Sequence, residues 1–196
     1  MKIIFCRHHS ICEPGILKSL PRLGHDVIEF MNDREPQDYD KDYMIRLATL
    51  IQQTTDVCAI LSVCFSPIIA RASKPFGIPY ISYTVDSPCS TLYSKTMEYP
   101  HNRLFLFDKL QLDKFRHRNP GNCFHTLLAC DIEHFDNVTV SDADMKKYGT
   151  DVSFVGSLYS EKNSYDNISN KLPAYMRGYV EGLCSAHIST HKSRKL

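Results

Sequence analysis

The chain has 196 residues, a net charge of +1, 43% apolar and 23% charged residues. That is enough to bury a core without disulfides or metal. The near-zero charge supplies no global field to draw in nucleic acid or an acidic membrane, and no apolar run approaches the ~18 residues of a membrane span.

Residues 2–7 (KIIFCR) predict a first strand. The run is too short for a signal-peptide core and no small-residue cleavage site follows, so a cytoplasmic protein is expected. Residues 12–23 predict a short helix, broken or begun at a proline and stopped by Gly24-His25. Residues 26–31 predict a second strand. Within 42–55, Met44, Leu47, Ala48 and Ile51 fall at i, i+3, i+4 and i+7, one face of a helix. The unbroken apolar run 57–65 fits a central strand covered on both faces. A helix over 67–75 stops at Pro75 and Gly77, and 79–85, rich in aromatic and β-branched residues, predicts a fourth strand. Further strands are expected at 103–107, 123–129 and 152–158, with a charged helix over 108–118 and another over 173–188. The polar stretch 137–151 is the most domain-like break, so a Rossmann-like domain is expected over 1–150 and a second-domain start or helical tail over 151–196.

Strands separated by helices of about ten residues imply parallel pairing through right-handed crossovers. The expected fold class is α/β, with a doubly wound, mainly parallel sheet. In such sheets ligands bind beyond the C-terminal strand ends, which selects three loops: Arg7-His8-His9-Ser10, Asp86-Ser87-Pro88 and Gly156-Ser157. His8 and His9 could contact a sugar or phosphate, and a neutral imidazole suits proton transfer near neutral pH. Asp86, followed by Ser87 before a proline, could accept hydrogen bonds from a ligand hydroxyl or simply cap the next turn. Gly156 and Ser157 form a small-residue turn of the kind that lets backbone N–H groups approach phosphate. Neither GxGxxG, GxxxxGK[ST] nor GxSxG occurs, which removes the main support for dinucleotide, P-loop and hydrolase readings.

The eight cysteines include no CxxC pair, and in a reducing compartment they are expected as thiols. Cys6, His8, His9 and Cys12 match no standard zinc spacing, so no metal is expected. The sequons at Asn137 and Asn167 are expected to go unread in the cytoplasm. Lys109, Lys114, Arg116, His117 and Arg118, interleaved with Asp108 and Asp113, read as a solvated helix face and not as a nucleic-acid surface.

Four segments carry a resemblance: Gly24-His25-Asp26-Val27, Val85-Asp86-Ser87-Pro88, Phe105-Leu106-Phe107-Asp108, and the run Asp151 to Tyr159 (DVSFVGSLY). Together they resemble the N-terminal region of the CgeB-like, spore-maturation-type glycosyltransferases of bacteria. The resemblance implies the N-terminal half of a GT-B type fold, in which this half holds the sugar acceptor. A C-terminal half binds the nucleotide-sugar donor, without a metal or resident cofactor. It implies an acceptor cleft lined by His8, His9, Asp86 and Ser87, with Gly156 and Ser157 towards donor phosphates. Relatives continue past the Gly178…Gly182…Ala186 stretch, so the expectation is a chain lacking its donor domain and inactive alone, partnered by a C-terminal domain in a longer protein or a separate chain. The alternative is a non-catalytic flavodoxin-like binding or regulatory module. The receiver version of that module is disfavoured, because Arg7-His8-His9 and Ser66-Pro67 stand where acidic residues would be needed.

Overall fold

A computed structural model describes residues 1–31, 39–156 and 164–192. It divides into two units, Met1–Val138 and Thr139–Leu196. The first unit carries a six-stranded, all-parallel sheet in the order β2-β1-β3-β4-β5-β6. The strands are β1 (Lys2–Arg7), β2 (Asp26–Met31), β3 (Val57–Val63), β4 (Tyr80–Thr84), β5 (Asn102–Leu106) and β6 (Cys123–His125). Its helices are α1 (Glu13–Arg22), α2 (Lys41–Gln53), α3 (Pro67–Ser73), α4 (Lys109–Phe115) and α5 (Ile132–Asp136).

The handedness of the crossovers explains the layering. The chain steps from β1 outward to β2 and then back past β1 to β3, so right-handed connections place α1 on one face and α2 on the other. Every later step continues in the second direction, so α3 and α4 share the α2 face. That face buries the larger core: Ile4, Cys6, Leu47, Ile51, Ile60, Ile68, Tyr80, Leu92, Met97, Leu104 and Leu106. On the α1 face, Ile3, Phe5, Leu61 and Val63 pack against Ile16, Leu17 and Leu20 of α1. Strand alternation makes both clusters possible, since neighbouring residues of β1 enter opposite layers.

The predicted helices form where local signals support them. Asp40 caps α2, its carboxylate accepting from the Tyr43 N–H at 3.0 Å, and Tyr43, Leu47 and Ile51 form the buried line. Asp108 caps α4 by accepting from the Leu110 and Gln111 N–H groups. Three expectations need correction. The sixth strand ends at His125, not 129, because the backbone beyond it pairs elsewhere: the Tyr83 hydroxyl donates to the Leu127 carbonyl and accepts from the Ala129 N–H. The helix expected over 108–118 stops at Phe115 and finishes as a 3-10 turn. Arg118 is not solvated there; it donates to the Leu92 and Ser94 carbonyls and to Glu98. Residues 152–156 form no strand, and Val152, Phe154 and Val155 are exposed where a central strand would bury them.

In the second unit, α6 (Asp142–Tyr148) starts with a capping box in which Ser141 and Asp144 serve each other's backbone N–H groups. The helices α7 (Ser164–Ile168) and α8 (Ala174–Lys192) follow. No described helix is long and apolar enough to cross a membrane.

Candidate functional site

The sheet reverses its winding between β1 and β3, where helices leave for opposite faces and a crevice opens at the C-terminal strand ends. A cavity of about 260 Å³ lies there. Its wall is built from the ends of three adjacent strands: Arg7 at the end of β1 and His8 after it, Cys64 to Ser66 after β3, and Asp86 with Pro88 to Thr91 after β4; Tyr43 of α2 and Ile69 of α3 also line it.

The loop after β1 is organised by Glu13, a fully buried carboxylate in the first turn of α1. It accepts from the His8 N–H at 2.7 Å and from Arg7 Nε at 3.0 Å. Burial raises its pKa, but the hydrogen bonds from the His8 backbone, Arg7 and the Ser10 backbone outweigh that, leaving it below the usual carboxylate range. Arg7 also pairs with Glu29 of β2, and its guanidinium is held protonated first by Glu13 and then by Glu29. Glu13 therefore stands where nucleotide-binding folds place phosphate, at the backbone N–H groups of the first strand-to-helix turn.

A buried hydroxyl network reaches the cavity wall at Ser66. Tyr80 Oη lies 2.7 Å from Ser62 Oγ and accepts from the Ser66 N–H at 2.9 Å. This bond ties β4 to the N-cap of α3, and burial pushes the Tyr80 phenol up. The loop after β4 is clamped from α4 by Gln111. Its Oε1 accepts from the Cys89 N–H at 2.7 Å and its Nε2 donates to the Asp86 carbonyl at 3.0 Å. The Thr91 hydroxyl donates to the Phe65 carbonyl at 2.6 Å, joining this loop to the one after β3.

Among the sequence candidates, His8 and Asp86 both line the cavity. His9 is exposed, adopts a left-handed φ of 64° and lines no part of the cavity. Ser87 also points away from it, donating its hydroxyl to Asp108. Gly156 is an exposed bend in the second unit, and Ser157 lies outside the described residues. Among the described residues no cluster of His, Cys, Asp and Glu could hold a metal ion.

Sequence reasoning passed over Glu13, Cys64, Cys89 and Gln111. A Glu-Pro pair opening a helix directly after a rim loop is a usable signal for Glu13, since acids favour helix N-termini. Cys64, Cys89 and Gln111 carry no local signal, because their roles arise between loops that lie far apart in sequence. The fold is a doubly wound α/β domain with a cavity at its switch point. The chain matches no protein-family model, no curated protein and no solved structure.

Proposed function

We propose that the Met1–Val138 unit is the acceptor-side domain of a GT-B type, CgeB-like glycosyltransferase, and that the switch-point cavity receives a neutral, hydroxyl-bearing sugar. The observation that carries this reading is that Asp86 and His8 both line a cavity whose neighbouring cation is already engaged. Arg7 is bonded to Glu13 and Glu29, no lysine lines the wall, and Glu13 occupies the N–H groups that would cradle phosphate. Such a wall suits hydroxyls better than a pyrophosphate. At about 260 Å³ the cavity lies just below the usual range for ligand pockets, a size suited to one sugar ring and not to a nucleotide sugar. In this reading Asp86 accepts a hydrogen bond from the acceptor hydroxyl, His8 contacts a neighbouring oxygen, and the donor is held by a domain other than this unit.

The test is titration of the isotopically labelled chain with neutral mono- and disaccharides, a nucleoside diphosphate and a nucleotide sugar. Saccharides should shift the amide signals of His8, Ser66, Asp86 and Ser90, and Asp86→Asn should weaken that binding about tenfold, the loss of one hydrogen bond to a charged acceptor. The nucleoside diphosphate should leave those signals in place. Turnover of a nucleotide sugar by this chain alone, or binding of the diphosphate in the cavity, would overturn the assignment.

A second reading has its own support. The order β2-β1-β3-β4-β5 is that of flavodoxin-like modules, whose switch point also lies between β1 and β3. A non-catalytic binding module would take up a ligand in the same cavity, and shared strand order does not choose between the two.

A further inference from the structure

We propose that Cys64 is a positioning residue: its thiol holds the Asp86 carboxylate in one orientation at the cavity wall, and affinity for the ligand depends on that hold. This role rests on the reading of Asp86 as the acceptor of a hydrogen bond from a sugar hydroxyl. The contact is direct. Cys64 Sγ donates to Asp86 Oδ2 at 3.2 Å, and both residues line the cavity.

The backbone at Cys64 gives the first reason to assign its side chain a role. Cys64 is the first residue after β3 and adopts a φ of 57°, in the left-handed region that glycine occupies at no steric cost. A residue with a Cβ is strained there, and such strain persists only where the surroundings over-determine it. Here both backbone groups are held. The Cys64 N–H donates to the Tyr83 carbonyl at 2.8 Å, and the Cys64 carbonyl accepts from Ser62 Oγ at 2.8 Å. Glycine would fit this turn without strain but would bring no donor to Asp86.

The second reason lies with Asp86, an exposed residue two positions after β4. Its main chain is fixed from α4. The Asp86 carbonyl accepts from Gln111 Nε2 at 3.0 Å, and Gln111 Oε1 accepts from the Cys89 N–H at 2.7 Å. That clamp sets the position of the Asp86 backbone and leaves the direction of the carboxylate open. The neighbouring Ser87 hydroxyl is committed to Asp108. Among the described residues, the Cys64 thiol is the donor that reaches the Asp86 carboxylate. Without it, χ1 of Asp86 has the usual three staggered wells. Equal occupation of those wells lowers the binding-competent fraction to about one third, which raises the apparent Kd about threefold.

The experiment compares Cys64→Ala, which removes the donor, with Cys64→Ser, which returns a hydroxyl donor at the same backbone position. In the isotopically labelled full chain, three-bond couplings to the Asp86 carboxyl carbon report its χ1 with no ligand added. The unaltered chain and Cys64→Ser should show one rotamer, and Cys64→Ala averaged couplings. Titration with neutral mono- and disaccharides should find binding about threefold weaker in Cys64→Ala, with Cys64→Ser close to the unaltered chain. In an Asp86→Ala background, Cys64→Ala should add no further loss, whereas a merely structural contribution of Cys64 would weaken binding in both backgrounds. Should Cys64→Ala lose its folded circular dichroism spectrum, the Asp86 couplings of the unaltered chain decide. Averaged Asp86 couplings in the unaltered chain, or equal saccharide affinities in Cys64→Ala and Cys64→Ser, overturn this role and leave the sugar reading standing. Absence of saccharide binding by the unaltered chain overturns the sugar reading and this role with it.

Discussion

Replacing Glu13 should be among the most damaging single changes outside the apolar core. Its carboxylate is fully buried and accepts from Arg7 Nε at 3.0 Å and from the His8 N–H at 2.7 Å. Glu13→Ala strands both donors, while Arg7 keeps Glu29. Breaking a buried ion pair costs about 3–5 kcal/mol, and the surviving Arg7–Glu29 pair places this site near the bottom of that range, at about 3 kcal/mol. For a chain of this size that is a fall of roughly 6–12 °C in Tm. Glu13→Gln, which keeps one acceptor, should cost less. The pH dependence has a defined sign. The folded-state pKa of Glu13 lies below its ordinary value of 4.5, so its contribution is complete above that value and is lost as pH falls through the folded pKa. Urea denaturation should therefore show the stability gap between wild type and Glu13→Gln widest near pH 7 and shrinking below about pH 4. A Glu13→Ala protein within about 0.5 kcal/mol of wild type, or a gap that does not change with pH, would refute the reasoning.

Tyr80→Phe removes an acceptor from the Ser66 N–H and a partner from Ser62 in a fully buried site, so denaturant unfolding should show a loss of about 1–3 kcal/mol. Gln111→Leu should cost about 2 kcal/mol, and hydrogen exchange at the Cys89 amide should quicken without equal change in β1, because the Cys89 N–H loses its acceptor. Glu133 is paired by Arg22 and then Lys18 of α1, which hold its carboxyl at about 2. In an Arg22→Ala/Lys18→Ala protein, NMR titration should find that carboxyl back towards 4.5, the value it has without such partners. Leu47→Ala empties a fully buried position on α2 and should cost about 2–5 kcal/mol by the same denaturation assay.

Five of the six strands could be placed from the chain itself to within two residues at either end. Each is a short apolar or β-branched run between helix-period or turn-forming stretches, and hydrophobic periodicity is a local property. The parallel α/β class followed from the alternation, because parallel neighbours need a crossover. The rule that ligands sit at C-terminal strand ends was enough to select the loops of His8 and Asp86. Local pattern misled at Val152, Phe154 and Val155, which have the composition of a strand yet are exposed and unpaired: β-propensity expresses packing against neighbours more than a backbone preference. It misled again at Arg118, a charge that looks solvated in sequence but holds three backbone and side-chain acceptors of a distant loop.

The remaining features were settled only when the elements packed. Strand order rests on the direction each crossover takes, and nothing in the residues of β3 alone says that it lies beside β1 and not beyond β2. The loops that build the cavity come from three separate parts of the chain, so the partnership of Asp86 with Cys64, the clamp of Gln111 on Cys89, and the turning of Ser87 towards Asp108 exist only in three dimensions. Residue type and spacing encode which segments extend or coil, because those preferences act over a few residues. Long-range contacts decide which side chains share a site, because each is made by groups whose separation along the chain is unrelated to their distance in space.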